Sequence, residues 1–94
     1  MHAVVFQVDF VAGREAQQEQ ELDFLTNMIK SAPGFVRGTW AGDEKRGLSF
    51  LLFSTEDAAR AVAGNAAMPP DAGASLRSVD VLEVARDIRA AGDS

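Results

Sequence analysis

Val4, Phe6, Val8 and Phe10 alternate with Val5, Gln7 and Asp9 along residues 3 to 11. A period of two marks a strand with one face buried, so the chain opens on a strand. Gly13 breaks that pattern. From Arg14 to Ala32 the apolar positions Leu22, Leu25, Met28, Ile29 and Ala32 share one helical face, while Glu15, Gln18, Glu19 and Lys30 lie elsewhere. Pro33-Gly34 ends this helix, and two strand-like runs follow, Phe35 to Ala41 and Leu48 to Phe53. Between them, Gly42-Asp43-Glu44-Lys45-Arg46-Gly47 has the composition of a hairpin loop. Ser54 and Asp57 form a cap-like pair before a short Ala-rich helix that stops at Gly64. Asn65 to Ser75 carry neither period and predict a loop, in which Met68-Pro69-Pro70 is a plain connector or a lid. Leu76 to Ala85 predict the last strand, with Val79, Val81, Leu82 and Val84. Arg86 to Ser94 read as a polar tail that adds a helical turn or lies across a partner.

Strand, helix, strand, strand, helix, strand is the split βαβ order. Right-handed crossovers fold it into a ferredoxin-like βαββαβ unit of the α+β class: a four-stranded antiparallel sheet, both helices on one face, the first and third strands central. The uncovered face of such a sheet should be polar. Instead Leu48, Phe50 and Leu52 alternate with Ser49, Leu51 and Phe53, so the third strand is apolar on both sides, and Val79 and Val81 oppose Leu82 and Val84 in the fourth. No further element is left to cover that surface, which predicts a homodimer packed sheet to sheet.

Several stretches in this order resemble the dimeric α+β barrel superfamily, to which the small antibiotic-biosynthesis-type monooxygenases belong. They are Pro33-Gly34-Phe35-Val36, Trp40 five residues after Phe35, the Gly42-Asp43 hairpin tip, and Leu48-Ser49-Phe50-Leu51-Leu52-Phe53 running into Ser54-Thr55-Glu56-Asp57-Ala58-Ala59. The resemblance spans roughly residues 3 to 85. It implies the fold above and a pocket between sheet and helices. The superfamily's chemistry is diverse, from cofactor-free oxygenases to haem degraders and lactone isomerases. Haem-degrading relatives use a helix-2 His as axial ligand, whereas residues 58 to 65 hold no His, Cys, Met or Tyr.

Length and composition narrow the picture further. Ninety-four residues suit one domain, 1–94, with a core over about 3–85 and the tail at 86–94. A hydrophobic fraction of 47% with 24% charged residues is that of a globular chain, and no apolar run nears the roughly 18 residues that cross a bilayer. The start has no basic leader before its apolar stretch, so the expectation is a cytoplasmic protein without a membrane partner. Fourteen acidic against nine basic side chains argue against a nucleic-acid partner. There is no Cys and one His, and no phosphate or metal motif, so neither a metal nor a cofactor is expected.

Few residues are left to carry chemistry. Gln7 and Asp9 are two polar side chains on one face of a central strand, where burial without a partner is costly, and they are candidates to face a ligand. Trp40 shares strand parity with Val36 and Gly38, and a glycine beside an indole leaves room for helix packing or for a small aromatic guest. Arg37 points to the opposite side, where it would balance Asp9, hold an anion or, most simply, form a rim salt bridge. The carboxylates Glu15, Glu19, Glu21, Asp23, Asp43 and Glu44 read as solvated surface, and His2 as an exposed residue entering the first strand. Two functional readings stand. One is a cofactor-independent monooxygenase-like enzyme acting on a small aromatic substrate, with Trp40, Gln7, Asp9 and Arg37 around it and no catalytic residue assigned. The other is a non-catalytic dimer that binds a small molecule or a protein.

Overall fold

The computed structural model describes residues 1–92. Its elements are β1 (His2–Phe10), α1 (Glu15–Lys30), β2 (Phe35–Gly42), β3 (Arg46–Phe53), α2 (Glu56–Gly64) and β4 (Ala74–Glu83). The strands pair antiparallel in the order β2-β3-β1-β4, with β1 and β3 central. This is the ferredoxin-like α+β arrangement that the order of elements predicts. No helix among the described residues is long and apolar enough to cross a membrane.

The core lies on one face of the sheet. Val4, Leu51 and Phe53 are buried there against Ile29 of α1 and Ala59 of α2, so both helices cover the same side. The Phe35 and Phe53 rings meet edge to face with centroids 5.7 Å apart. Leu51, Phe53 and Val4 are essentially sealed from water, and burying one such side chain is worth about 1.5–3 kcal/mol.

Local signals set the turns. Gly34 has φ of 78°, a left-handed conformation open to glycine, and a Cβ there would lie 2.8 Å from the Ala58 Cβ. Its carbonyl accepts from the Ser54 N–H at 2.8 Å, tying the end of α1 to the start of α2. Ser54 is therefore used through its backbone, and the N-cap of α2 is Thr55, whose hydroxyl accepts from the Ala58 N–H at 3.2 Å. At the hairpin, β2 and β3 run closer to the tip than the composition suggests, leaving Asp43 to Lys45 as the turn. The Asp43 carboxylate accepts from the Lys45 and Arg46 N–H groups, both at 2.8 Å.

Two features depart from the expected pattern. Between Phe35 and Arg37 the β2–β3 register shifts, so Val36 bulges out and is 45% exposed. Phe35, and not Val36, consequently shares a face with Gly38 and Trp40. The second feature is the tail. Arg37, Leu52, Ala3 and Leu82 form one row across the far face of the sheet. Arg37 on β2 is ion-paired with Asp87, which follows β4 at the opposite edge. The tail thus crosses this row, and Leu52 and Ala3 beneath it are each only 1% exposed. The second face is therefore partly covered by the chain's own C-terminal segment, which forms no helical turn over residues 86–92. Residues 93–94 of the predicted tail lie outside the described residues.

Candidate functional site

Beyond the row that holds the core, α1 stands off from the sheet. Ile29 is its one buried residue, while Leu22 and Met28 on its apolar stripe remain exposed. The space beneath is a half-open cavity of about 1030 Å³, walled mostly by apolar side chains. That volume is at the upper end of what small-molecule pockets reach.

The sheet supplies the floor. Trp40, Ser49 and Phe6 are cross-strand neighbours in one row, and all three line the cavity with Val8 and Leu76. The indole is fixed at its polar end, where Nε1 donates to the Thr26 hydroxyl of α1 at 3.0 Å and that hydroxyl donates to the Leu22 carbonyl at 2.7 Å. Trp40 therefore joins floor to roof. Ser49 is 2% exposed, and its hydroxyl oxygen is buried without a hydrogen-bond partner. A sealed hydroxyl in that condition costs about 1–3 kcal/mol until something meets it. In the floor row it is the polar group left without a partner, since the indole N–H is taken by Thr26.

The roof is hung by polar contacts to the segment leading into β4. Arg14 Nη1 donates to the Ala72 carbonyl at 2.8 Å, and Gln17 Nε2 to the Asp71 carbonyl at 2.8 Å. Gln18 Nε2 donates to the carbonyls of Val11 and Gly73, both at 2.9 Å. In return, the Gly73 N–H donates to Glu21 Oε1 at 2.7 Å. The first two turns of α1 thus close on backbone groups of residues 71–73. Met68, in the preceding loop, lines the cavity; the Pro69-Pro70 pair after it does not.

The titratable groups at the cavity are all acidic: Glu15, Glu19, Glu21 and Asp43 line it, with no Lys, Arg or His among the lining residues. Asp43 titrates below its ordinary value of 3.8, first because of the Arg46 N–H and then the Lys45 N–H that its carboxylate accepts. His2 does not line the cavity; it pairs across the sheet with Phe53 and Glu83, and it is half-buried, with its Nδ1 lacking a partner, rather than exposed. Among the described residues no cluster of three or more His, Asp or Glu side chains is arranged to hold a metal ion.

Of the four residues expected from the sequence to face a ligand, only Trp40 lies in the cavity, whereas Glu15, Glu19, Glu21 and Asp43, expected to be plain solvated surface, border it as well. Gln7, Asp9 and Arg37 point to the opposite face, because Val4, Phe6 and Val8 take the helix side of β1 and strand alternation sends their neighbours the other way. Arg37 does not balance Asp9, which pairs with Arg77 at 3.1 Å; it forms the salt bridge expected of it with Asp87 instead. Gln7 and Arg77 border a smaller cleft of about 410 Å³ at the hairpin end. Gly38 leaves no room for a guest either, since a Cβ there would fall 2.7 Å from Leu51 Cδ2 and 3.4 Å from the Phe35 ring. The residue that sequence reasoning missed is Ser49. Its signal was present: one serine in an apolar strand, in phase with Leu51 and Phe53.

No family model and no curated protein matches the chain. Solved structures do. The haem degrader MhuD of Mycobacterium tuberculosis with two haems bound in its active site aligns with a TM-score of 0.68 at 17% identity, over 95% of this chain and 100% of that one. A point mutant of MhuD with two manganese protoporphyrin IX bound per active site gives 0.70 at 17% identity, over 96% and 100%. The haem-free, cleaved form gives 0.62 at 23% identity, over 96% and 98%. The likeness runs the length of the chain and shows its fold, a ferredoxin-like βαββαβ arrangement of the α+β class.

Proposed function

We propose that the chain is the subunit of a monooxygenase-like homodimer that takes a small aromatic molecule into the cavity under α1. The observation that carries this reading is the floor row, in which an indole fixed by Thr26 stands beside the unpartnered Ser49 hydroxyl at the base of a large apolar space. A planar guest would stack on Trp40 and, with a shift of the side chains that seal Ser49, offer that hydroxyl the hydrogen bond it lacks. The dimer rests on Leu48, Phe50 and Leu82, which stay 44%, 39% and 53% exposed beside the tail.

Haem, which the structural neighbours bind, does not fit this donor set. The cavity offers iron no imidazole or thiolate, only the thioethers of Met28 and Met68 besides carboxylates and amides. Cofactor-independent oxygenation fits better. There an electron-rich aromatic loses a proton and reduces O₂ itself, and the protein contributes a dry pocket and orientation. A second reading, a binding dimer without turnover, is favoured by two observations: Gln7, Asp9 and Arg37 are turned away, and the carboxylates Asp43 and Glu21 are already engaged by backbone N–H groups.

Titration with planar phenols under air, following indole fluorescence together with O₂ consumption, tests both. Quenching with O₂ uptake supports the enzyme, and quenching without uptake supports the binding dimer. Unchanged fluorescence across the series removes the cavity from consideration.

A further inference from the structure

The cavity carries a charge preference. Its walls bring four carboxylates to bear, from Glu15, Glu19, Glu21 and Asp43, and not one cationic side chain. Arg14, beside Glu15 in sequence, is turned to the Ala72 carbonyl. The chain as a whole is acidic, with a net charge of -5. On the floor, the only unmet polar group is the Ser49 hydroxyl, which is uncharged and can donate as well as accept. An anionic guest entering this space would give up its water, meet like charge at the mouth and find no counter-ion inside. A neutral guest meets no such penalty, and a cationic one gains from the rim.

We propose that this cavity selects uncharged or cationic planar aromatics and excludes anionic ones, with Glu15 and Glu19 as specificity-determining residues at its mouth. The proposal rests on the cavity reading above and narrows it. It separates this chain from the haem-binding proteins that share its fold, because haem carries two propionates for which no lining residue supplies a positive charge. Glu15 and Glu19 are exposed and make no bond to residues 71–73 or to the hairpin; Glu15 accepts only from the Gly13 N–H, at 3.3 Å, a bond that a glutamine oxygen can also accept. Glu21 is committed to the Gly73 N–H and Asp43 to its own turn.

Three probes of one shape isolate the effect: naphthalene-2-carboxylate, naphthalene-2-carboxamide and naphthalene-2-carboxamidine, with charges of -1, 0 and +1. The single Trp gives one indole N–H resonance, which reports occupancy of the floor without optical interference. At low ionic strength the carboxylate is expected to bind at least about tenfold more weakly than the carboxamide, and the carboxamidine at least as tightly as the carboxamide. Added salt should narrow the differences, since charges at an open mouth are screened over about 10 Å at 0.1 M. In the double variant Glu15→Gln, Glu19→Gln the carboxylate should recover several-fold while the carboxamide is unchanged. Equal binding of all three, or tightest binding of the carboxylate, overturns the charge preference and leaves the cavity reading intact. If none of the three moves the indole resonance, the cavity reading itself fails, and the preference with it.

Discussion

Gly73 is the position where the attachment of α1 can be broken most cleanly. It is buried, its φ is not positive, and alanine would suit its backbone. Space is the obstacle. A Cβ at Gly73 would stand 2.7 Å from Gln18 Cγ, 2.8 Å from Glu21 Oε1 and 3.2 Å from the Gln18 backbone nitrogen. The two side chains can swing clear, but those are the groups that grip residue 73, so relief of the clash breaks the hydrogen bonds at 2.9 and 2.7 Å. The first is a neutral bond, worth about 0.5–1.5 kcal/mol, and the second reaches a carboxylate, worth about 1.5–3 kcal/mol. Their partly exposed setting puts the loss for Gly73→Ala near 2–3 kcal/mol. At about 4–8 °C per kcal/mol for a domain of this size, the melting temperature should fall by roughly 10–20 °C. Calorimetry measures the drop, and hydrogen exchange should localise it to the first two turns of α1. Gly64→Ala is the control, because nothing lies within 4 Å of its added methyl and it ends a helix. A melting temperature for Gly73→Ala equal to that of the control would refute the idea that α1 is held through residue 73.

Trp40→Phe keeps a ring on the floor but loses the bond to Thr26, and should weaken binding of a planar phenol by about 0.5–1.5 kcal/mol in fluorescence-independent calorimetry. Unchanged affinity would take Trp40 out of the site. Phe50→Asp places a charge on the exposed second face and should turn a sedimenting dimer into monomer without loss of the circular-dichroism signature; a parent chain that sediments as a monomer at micromolar concentration would defeat the dimer. Asp43 holds its turn through an ionised carboxylate, so the stability it adds is complete above its ordinary pKa of 3.8 and is lost as pH falls through its lowered folded value. The Lys45 and Arg46 amide shifts should therefore titrate with a midpoint below 3.8, and a midpoint at or above it would contradict the hydrogen bonds drawn to them.

The fold was legible because period-two runs and a Pro-Gly stop depend on a few residues each and on nothing distant. Thr55 in place of Ser54 as the cap of α2 is a shift of one position, the scale on which such signals blur. The bulge at Val36 carried no mark in composition, and it moved Phe35 into the phase assigned to Val36. Nor could the sequence show that the tail crosses the sheet, since Arg37 and Asp87 are fifty residues apart and their pairing depends on the finished strand order. The site was half legible. Trp40 was found as the lone indole, but polarity drew attention to Gln7, Asp9 and Arg37, and polarity on a strand with one covered face usually points away from that cover. Ser49 was overlooked because serine is common on strands, and its lack of a partner is a property of the folded chain alone.

The way α1 is hung separates two tasks that many small pockets assign to the same side chains. Arg14, Gln17, Gln18 and Glu21 hold the helix, and they bond to main-chain groups of residues 71–73 whose chemistry does not change when side chains do. Leu22, Leu25 and Met28 line the cavity and make none of these bonds with their side chains. Enlarging or trimming the latter group alters the shape of the cavity without detaching the roof. Such a chain can change the shape of its cavity by single substitutions while remaining folded, which leaves that shape free to drift faster than the architecture.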